Sequence, residues 1–359
     1  MLVTQEPLPA MSGMDVVVLA GGESAERFVS LASGTEVARA LAGLGCNVRL
    51  VDPADVEAPL GRPWEESAFA PVAPMPGPPD PAERQRLARH TQTALTRPDL
   101  LERLRRADCA FFAIHGGWGG SGHMQSVLDI AGVRYTGPRP HACAAAWDKD
   151  RAISRVSAAG VRVTRRVKCT PGDTDHAAEA LGLLEHGPVV VKPAAGGSGI
   201  ELGLMKDEPS LMAALSKSGE DRLVEEYLPG REFSVGVLGD RALPVVEIAV
   251  AGPVYDYSAK YSGRGVLREC PAQIPEALTR ELEHAALQAH FALTDGTRSY
   301  SRVDFRCDGE GRPVFLELNA LPAFTQTSLL PLAASKDGCS FPQLIRRIVA
   351  LAPESTGLP

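Results

Sequence analysis

The chain has 359 residues, 44% of them hydrophobic and 23% charged, with a net charge of −7 at neutral pH. That length exceeds one ordinary domain, and the acidic balance argues against a nucleic-acid-binding surface. No stretch approaches the roughly 20 apolar residues needed to cross a bilayer, so neither nucleic acid nor membrane is expected as a partner.

The first unit reads β-α-β. The apolar run in "DVVVLAGG" (15–22) has no basic region ahead of it and reads as a first strand ending in a glycine turn, not as a signal peptide. "SLASGTEVARALAGLG" (30–45) predicts a helix with Gly45 past its end, and "NVRLVDP" the next strand. A proline-heavy segment over 58–82 predicts a loop, because proline cannot donate to a sheet ladder and disfavours helix interiors. "AERQRLARHTQTALTRPDLLERLRRA" returns to helical character, and "CAFFAIHGG" is a buried strand ending in glycines. Strands alternating with helices predict a parallel sheet covered by helices.

From about residue 149 the pattern changes. "KDRAISRVSAAG" predicts a helix, and short strands follow at "VRVTRRVKC", "GPVVVKPA", "RLVEEYL", "REFSVGVLG", "ALPVVEIAV", "YSRVDFRC" and "PVFLELNA". Helices are predicted at about 276–291 and over "SFPQLIRRIVALA". Seven scattered cysteines with no C-x-x-C pair predict reduced thiols in a cytoplasmic protein.

Several stretches can carry chemistry. Lys192 ends an apolar strand and precedes the Gly/Ser loop "PAAGGSG", which suits phosphate: a point charge followed by backbone N–H groups. A lysine lying along the surface beside a turn would read the same way. Arg302 and Asp304 share one face of a strand by the period of two, and so do Glu317 and Asn319. Asp304, Glu317 and Asn319 on neighbouring strands would make an oxygen set for a hard cation such as Mg²⁺; a half-exposed polar sheet face is the bland alternative. "VFLELNALPAFTQTSLLP" (314–331) opens as an alternating strand with Val314, Leu316 and Leu318 on one face, then breaks at Pro322 into a polar loop. In "LVEEYLPGREF" (223–233), Glu225 and Glu226 end one strand and Glu232 opens the next, placing a carboxylate where a ribose could bind.

Together these stretches resemble an ATP-grasp ligase, and most closely the D-alanine–D-alanine ligase family, over about residues 15–350. The most specific piece is "GGESAERFVSLASG" (21–34), similar to the family signature GG-x-S-x-E-x-x-VSL-x-SG. "HGGWGGSGHMQ" (115–125), "YTG" (135–137), "WDK" (147–149), "VVVKPAAGGSG" (189–199), "YDYSAKY" (255–261) and "RVDF" (302–305) follow in family order. The resemblance implies a three-subdomain ATP-grasp fold, α/β with an α+β ATP-grasp half: an N-terminal parallel β-α-β domain (1–148), a central subdomain (149–230) and a C-terminal subdomain (231–359). It also implies a homodimer that uses ATP and two Mg²⁺ ions, with Mn²⁺ able to substitute.

Site residues carry over by position. Lys149 and Lys192 resemble the nucleotide-phosphate lysines. Glu225, Glu226 and Leu228 match the adenine hinge, Glu232 the ribose glutamate, and Lys260 the γ-phosphate lysine. Asp304, Glu317 and Asn319 match the Mg²⁺ ligands, and Arg302 faces the transferred phosphate and oxyanion. Glu26 matches the holder of the first substrate's ammonium and belongs with Ser198 and Tyr261 to a hydrogen-bonded triad. His115 and Tyr255 line the family's substrate site. The Ala323 amide serves the oxyanion, and Ser328 with the Leu329 amide receives the second substrate's carboxylate.

This chain also departs from the family. Gly120 and Ser121 replace an acidic pair, Ala323 a glycine, Gly199 a second serine, and Thr327 a frequent histidine. Tyr261 is kept, which in the family goes with making a peptide. The segment "GPVYDYSAKYSGRGVLREC" is the expected lid, because an acyl phosphate must be kept from water. The leading expectation is ligation of two D-alanines for peptidoglycan. The alternative keeps the chemistry but joins a different amino acid to a small carboxylate or amine in secondary metabolism. A nucleotide-binding protein without ligase activity would need the phosphate and metal groups to be missing, and they are present.

Overall fold

The structure is a computed structural model that describes residues 8–65, 77–197, 199, 201–216, 219–250, 252 and 265–354. The chain divides into two compact units, one of Met1–Pro140, Arg298–Tyr300 and Leu321–Pro359, the other of His141–Thr297 and Ser301–Ala320. No helix among the described residues is long and apolar enough to cross a membrane.

The chain begins with β1 (Asp15–Leu19), α1 (Arg27–Gly43), β2 (Asn47–Val51), β3 (Arg62–Pro63), α2 (Pro81–Leu95), α3 (Pro98–Arg106) and β4 (Cys109–Phe112). The short helices α4 (Gly117–Gly120) and α5 (His123–Ile130) follow. The sheet order is β3-β2-β1-β4, with β1 parallel to both β2 and β4. Val17, Leu19, Phe112 and Ile114 pack with Leu100, Leu104 and Tyr135 in one apolar cluster. The stretch read as one helical run is two helices. Pro98 begins the second, since proline is tolerated at a first helical position and not inside. Asp80 caps the first helix, its carboxylate accepting the Glu83 N–H at 2.8 Å, with Pro81 next. The proline-rich segment is not all loop: Arg62 and Pro63 add an edge strand to β2, a position where proline's missing donor is tolerated. Residues 66–76 of it lie outside the described residues.

The second unit contains α6 (Pro140–Trp147), α7 (Lys149–Ala158), β5 (Arg166–Cys169), α8 (Thr174–Leu184), β6 (Val189–Pro193), β7 (Gly203–Met205), α9 (Glu208–Ser216) and β8 (Arg222–Glu226). It continues with β9 (Glu232–Gly239), β10 (Arg241–Ala242), β11 (Val246–Val250), β12 (Val266–Glu269), α10 (Glu276–Leu293), β13 (Ser299–Cys307, whose first two residues belong to the first unit) and β14 (Pro313–Asn319). One four-stranded sheet, β5-β8-β6-β7, is antiparallel throughout and packs Val167, Val189, Val191 and Val224 with Ala180 of α8 and Leu211 of α9. A six-stranded sheet runs β12-β11-β9-β13-β14 with β10 beside β9. Its apolar face buries Phe233, Val235, Val303, Phe305, Phe315 and Leu318 with residues of α7 and α10. The expected lid segment ends in structure: Val266–Glu269 is β12, paired with β11. Residues 253–264 of the segment lie outside the described residues.

The first unit is completed by α11 (Leu329–Lys336) and α12 (Phe341–Ala350). The polar loop expected after Pro322 is therefore short and runs into a helix. All seven cysteines are free, and burial pushes the Cys109 and Cys143 thiols up to about 12.

Gly34 lies inside α1, and a Cβ there would stand 2.3 Å from the Ala20 Cβ and 3.2 Å from Leu50 Cδ1. The helix approaches the sheet too closely for a side chain. Gly34→Val is expected to destabilise the protein by about 1–3 kcal/mol through overpacking, measured by urea unfolding; wild-type stability in that variant would contradict this packing.

Candidate active site

In the first unit, β1 connects to β2 on one side while β4 lies on the other, so the strand order reverses between β1 and β4. Open α/β sheets bind ligands at the carboxyl ends of strands at such a switch point. The loops leaving β1 and β4 carry Glu26 and His115 there. Ser30 stitches the two loops together: its Oγ accepts the Gly21 N–H at 2.7 Å and donates to the Ala113 carbonyl at 2.7 Å. Ser24 adds a second stitch, its hydroxyl donating to the His115 carbonyl at 2.5 Å. Glu26 is buried at the start of α1, and a Cβ on Gly116 would stand 2.7 Å from its Oε2.

His115 is buried with both ring nitrogens engaged: Nδ1 lies 2.9 Å from the Leu321 carbonyl oxygen and Nε2 2.9 Å from Ser33 Oγ. A carbonyl only accepts, which places a proton on Nδ1; in the neutral ring Nε2 then accepts from the Ser33 hydroxyl. Ser33 Oγ in turn accepts the Phe324 N–H at 3.0 Å. His115 thus anchors the backbone of 321–324 through its own ring and through Ser33. Ala323 lies between the two anchored residues. Ser328 precedes α11, and its Oγ accepts the Thr325 N–H at 3.0 Å. Leu329 opens α11, where backbone N–H groups have no partner within the helix. Gly120 lies in α4 and Ser121 directly follows it, with Ser121 Oγ 2.7 Å from His123 Nδ1; Thr327 is exposed.

In the second unit, the face of the six-stranded sheet opposite its core is polar. Arg302 of β13 pairs across to Asn319 of β14, and Asp304 to Glu317. Arg302 grips Asp304 with two bonds, Nε to Oδ1 at 2.9 Å and Nη2 to Oδ2 at 2.8 Å. Ser234 of β9 donates to Asp304 Oδ1 at 2.7 Å. Further along, Arg306 lies 3.7 Å from Glu232 and sits over the Tyr227 ring at 5.0 Å. The simple alternation expected for 314–318 is corrected by a bulge. The register shifts between Asp304 and Phe305, so Leu316 is the extra residue and Phe315 and Leu318 both reach the core while Glu317 and Asn319 stay on the polar face.

The four-stranded sheet carries the lysine. Lys192 Nζ lies 2.5 Å from Glu225 Oε2, both side chains being under 10% exposed. Glu225 also accepts from the Thr164 hydroxyl at 3.3 Å. Lys149 opens α7; its backbone N–H donates to the Ala194 carbonyl at 2.9 Å and its Nζ to the Gly196 carbonyl at 2.6 Å. It thereby ties the loop after β6 to the helix. Gly196 has φ +125°, and a Cβ there would meet nothing, so backbone conformation and not packing calls for glycine. Glu226 is hydrogen-bonded to Arg165, whose guanidinium holds the Glu226 carboxyl below its usual range. Leu228 is buried just beyond. Ser198, Tyr255, Lys260 and Tyr261 lie outside the described residues.

Sequence reading had not singled out Ser30, Ser33, Ser234, Arg306 or Glu23. The first two fall inside the "VSLASG" run, where a helix supplying hydroxyls at i and i+3 on its buried face is the available signal. The Asp304, Glu317 and Asn319 set offers two carboxylates and one amide oxygen, a hard-oxygen donor set that fits Mg²⁺; among the described residues no group of three or more His, Cys, Asp or Glu could hold a metal.

The fold is shared with solved ligases. A D-alanine–D-alanine ligase from Bacillus anthracis complexed with ATP matches with a TM-score of 0.72 at 24% identity, covering 95% of this chain and 97% of that one. The VanG D-Ala:D-Ser ligase from Enterococcus faecalis matches with a TM-score of 0.71 at 24% identity, covering 95% and 100%. The architecture is therefore the ATP-grasp fold. The family models "D-ala D-ala ligase N-terminus" and "D-ala D-ala ligase C-terminus" match residues 15–138 and 157–350. A D-alanine–D-alanine ligase of Dechloromonas aromatica (strain RCB) is 36% identical over 342 residues, covering 94% of this chain and 97% of that protein. Another, of Paramagnetospirillum magneticum, is 37% identical over 340 residues, covering 93% and 97%. The chain belongs to the D-alanine–D-alanine ligase family.

The Lys192–Glu225 pair yields a stability prediction. Lys192→Met leaves a buried carboxylate without its cation and is expected to cost about 3–5 kcal/mol, while the double change Lys192→Met with Glu225→Leu costs less than the single one. Urea unfolding of the unliganded variants measures both; equal losses would mean that the stranded Glu225 carboxylate carries no penalty.

Proposed function

We propose that the protein is an ATP-dependent ligase that joins two D-alanines, giving D-alanyl-D-alanine, ADP and phosphate for peptidoglycan synthesis. The observation that carries this reading is the polar sheet face, where Arg302, Asp304, Glu317 and Asn319 form two facing cross-strand pairs. Family membership and the curated relatives named D-alanine–D-alanine ligase support it.

The reaction must activate a carboxylate. The first D-alanine's carboxylate attacks the γ-phosphorus of ATP, forming an acyl phosphate and releasing ADP. The amine of the second D-alanine then attacks the acyl carbon, and phosphate leaves. Such a sequence needs positioning and positive charge more than covalent help from the protein. In this reading Glu26 holds the first ammonium. Arg302 faces the transferred phosphoryl group and the oxyanion, and the Ala323 N–H donates to that oxyanion. Anchoring of 321–324 through His115 and Ser33 holds this N–H in place before reaction, which supports its role. Ser328 and the Leu329 N–H at the start of α11 receive the second carboxylate. Lys149 and Lys192 meet the nucleotide phosphates, so Lys192 would exchange part of its bond to Glu225 for phosphate. Glu225, Glu226 and Leu228 border the adenine, and Glu232 the ribose. Ser198 and Tyr261 complete the triad with Glu26, Lys260 meets the γ-phosphate, and Tyr255 borders the first substrate. Asp304, Glu317 and Asn319 would hold two Mg²⁺ ions, which neutralise phosphate charge when bound. Three subdomains (1–148, 149–230, 231–359), a homodimer and a cytoplasmic location complete the proposal.

The test is ATP- and Mg²⁺-dependent phosphate release across a panel of amino acids. D-alanine is expected to give stoichiometric phosphate and dipeptide; a panel in which D-alanine alone and in pairs is inert would sink this reading. Glu317→Ala is expected to lower kcat by about a hundredfold or more, the scale of losing transition-state charge stabilisation, and full activity in that variant would remove Glu317 from the metal site.

A further inference from the structure

Glu23 is 7% exposed and sits in the loop after β1, three residues before Glu26. Its Oε1 accepts the Trp118 N–H at 2.7 Å. Its Oε2 is buried and has no hydrogen-bond partner among the described residues. The neighbouring cation does not serve it: Arg27 pairs with Asp52 at 2.5 Å and donates to the Gly22 carbonyl. A buried carboxylate without a compensating cation costs stability, so its presence calls for something that the described residues do not supply.

The surroundings say where that something sits. A Cβ on Gly117 would stand 2.2 Å from Glu23 Oε1, and one on Gly116 2.7 Å from Glu26 Oε2; each would lie 3.1 Å from the Ser24 Cβ. Both carboxylates therefore border the same Gly116–Gly117 step at the switch point of the sheet. The short helix whose Trp118 N–H Glu23 accepts ends at Gly120 and is followed by Ser121, the two positions where the family pattern has an acidic pair.

We infer that Glu23 is a second binding carboxylate for the α-ammonium of the first amino acid, acting beside Glu26 and replacing the negative charge missing at Gly120 and Ser121. This rests on the ligase reading above. One oxygen is used on the turn. The other meets no protein donor among the described residues, in a buried place where electrostatic interactions act over several ångströms with little screening. The amino acid's ammonium is the cation that compensates it.

Glu23→Gln tests this, because an amide oxygen still accepts the Trp118 N–H. Initial rates resolve the two D-alanine constants and that of ATP. The first D-alanine KM is expected to rise about tenfold, with the second and the ATP KM within twofold. The unliganded variant is expected to melt no lower than wild type, since the bond from the Trp118 N–H is kept and a buried carboxylate has been replaced by an amide. Adding Gly120→Glu to Glu23→Gln is expected to bring the first KM back toward wild type. A first KM within twofold of wild type, or an equal rise in all three constants with a lowered Tm, would reduce Glu23 to a holder of the turn and overturn the inference. The reaction itself stands or falls on wild-type turnover. The Glu23 inference is read separately, as the difference between wild type and Glu23→Gln for whichever amino acid the wild type takes first.

Discussion

Two carboxylates, Asp304 and Glu317, stand directly opposite each other on antiparallel strands. Like charges in that position repel by a few tenths to about 1 kcal/mol, and the second unit is arranged to bear that cost. Arg302 and Ser234 bond Asp304 directly. On the other face of the same strands, Phe305 and Phe315 are wholly buried with ring centroids 6.3 Å apart. Burying one such side chain contributes about 1.5–3 kcal/mol, and an edge-on ring pair adds about 0.5–1.5 kcal/mol. The apolar side therefore outweighs the repulsion, and the sheet holds a face whose chemistry wants a cation.

The first unit solves a different problem: two loops leaving separate strands must keep a fixed spacing. Van der Waals packing alone would let such loops drift. Ser30 fixes them by accepting from one and donating to the other, and Ser33 does the same between His115 and Phe324. Both hydroxyls come from one helix that lies against the sheet only because Gly34 lacks a side chain. The run "VSLASG" is thus one device: close approach by glycine, with hydroxyls delivered at the point of approach.

Much of this was legible in the sequence, for physical reasons that can be named. The strands Asp15–Leu19, Asn47–Val51, Val189–Pro193 and Ser299–Cys307 were readable because apolar runs bounded by Gly and Pro have few other solutions. Arg302, Asp304, Glu317 and Asn319 were readable because period two forces polar residues in a half-buried strand onto one face, and Lys192 because it ends an apolar strand ahead of a Gly/Ser loop. The bulge at Leu316 was not, since the sequence shows an intact alternation through Val314, Leu316 and Leu318, and only the partner strand reveals the slip. Helices such as Thr174–Leu184 and Leu329–Lys336 were missed because their composition is mild and their stability comes from packing. Glu23 was invisible for a similar reason: a carboxylate in a glycine turn reads as solvated until burial and partners are known.

The bulge also decides how securely the polar face is aimed. In a strand, a slip of one residue turns every side chain to the opposite side. Without the extra residue, continuing the pairing from Arg302 and Asp304 would carry Phe315 to the polar face, or else keep Phe315 in the core and turn Glu317 inward. The bulge lets both demands be met, with Phe315 and Leu318 buried and Glu317 and Asn319 out. Core packing and site geometry are then two readings of one register. A slipped pairing would lose buried aromatic area and oppose the wrong charges at once, so the packing energy of the core becomes the force that holds Glu317 opposite Asp304 and Asn319 opposite Arg302.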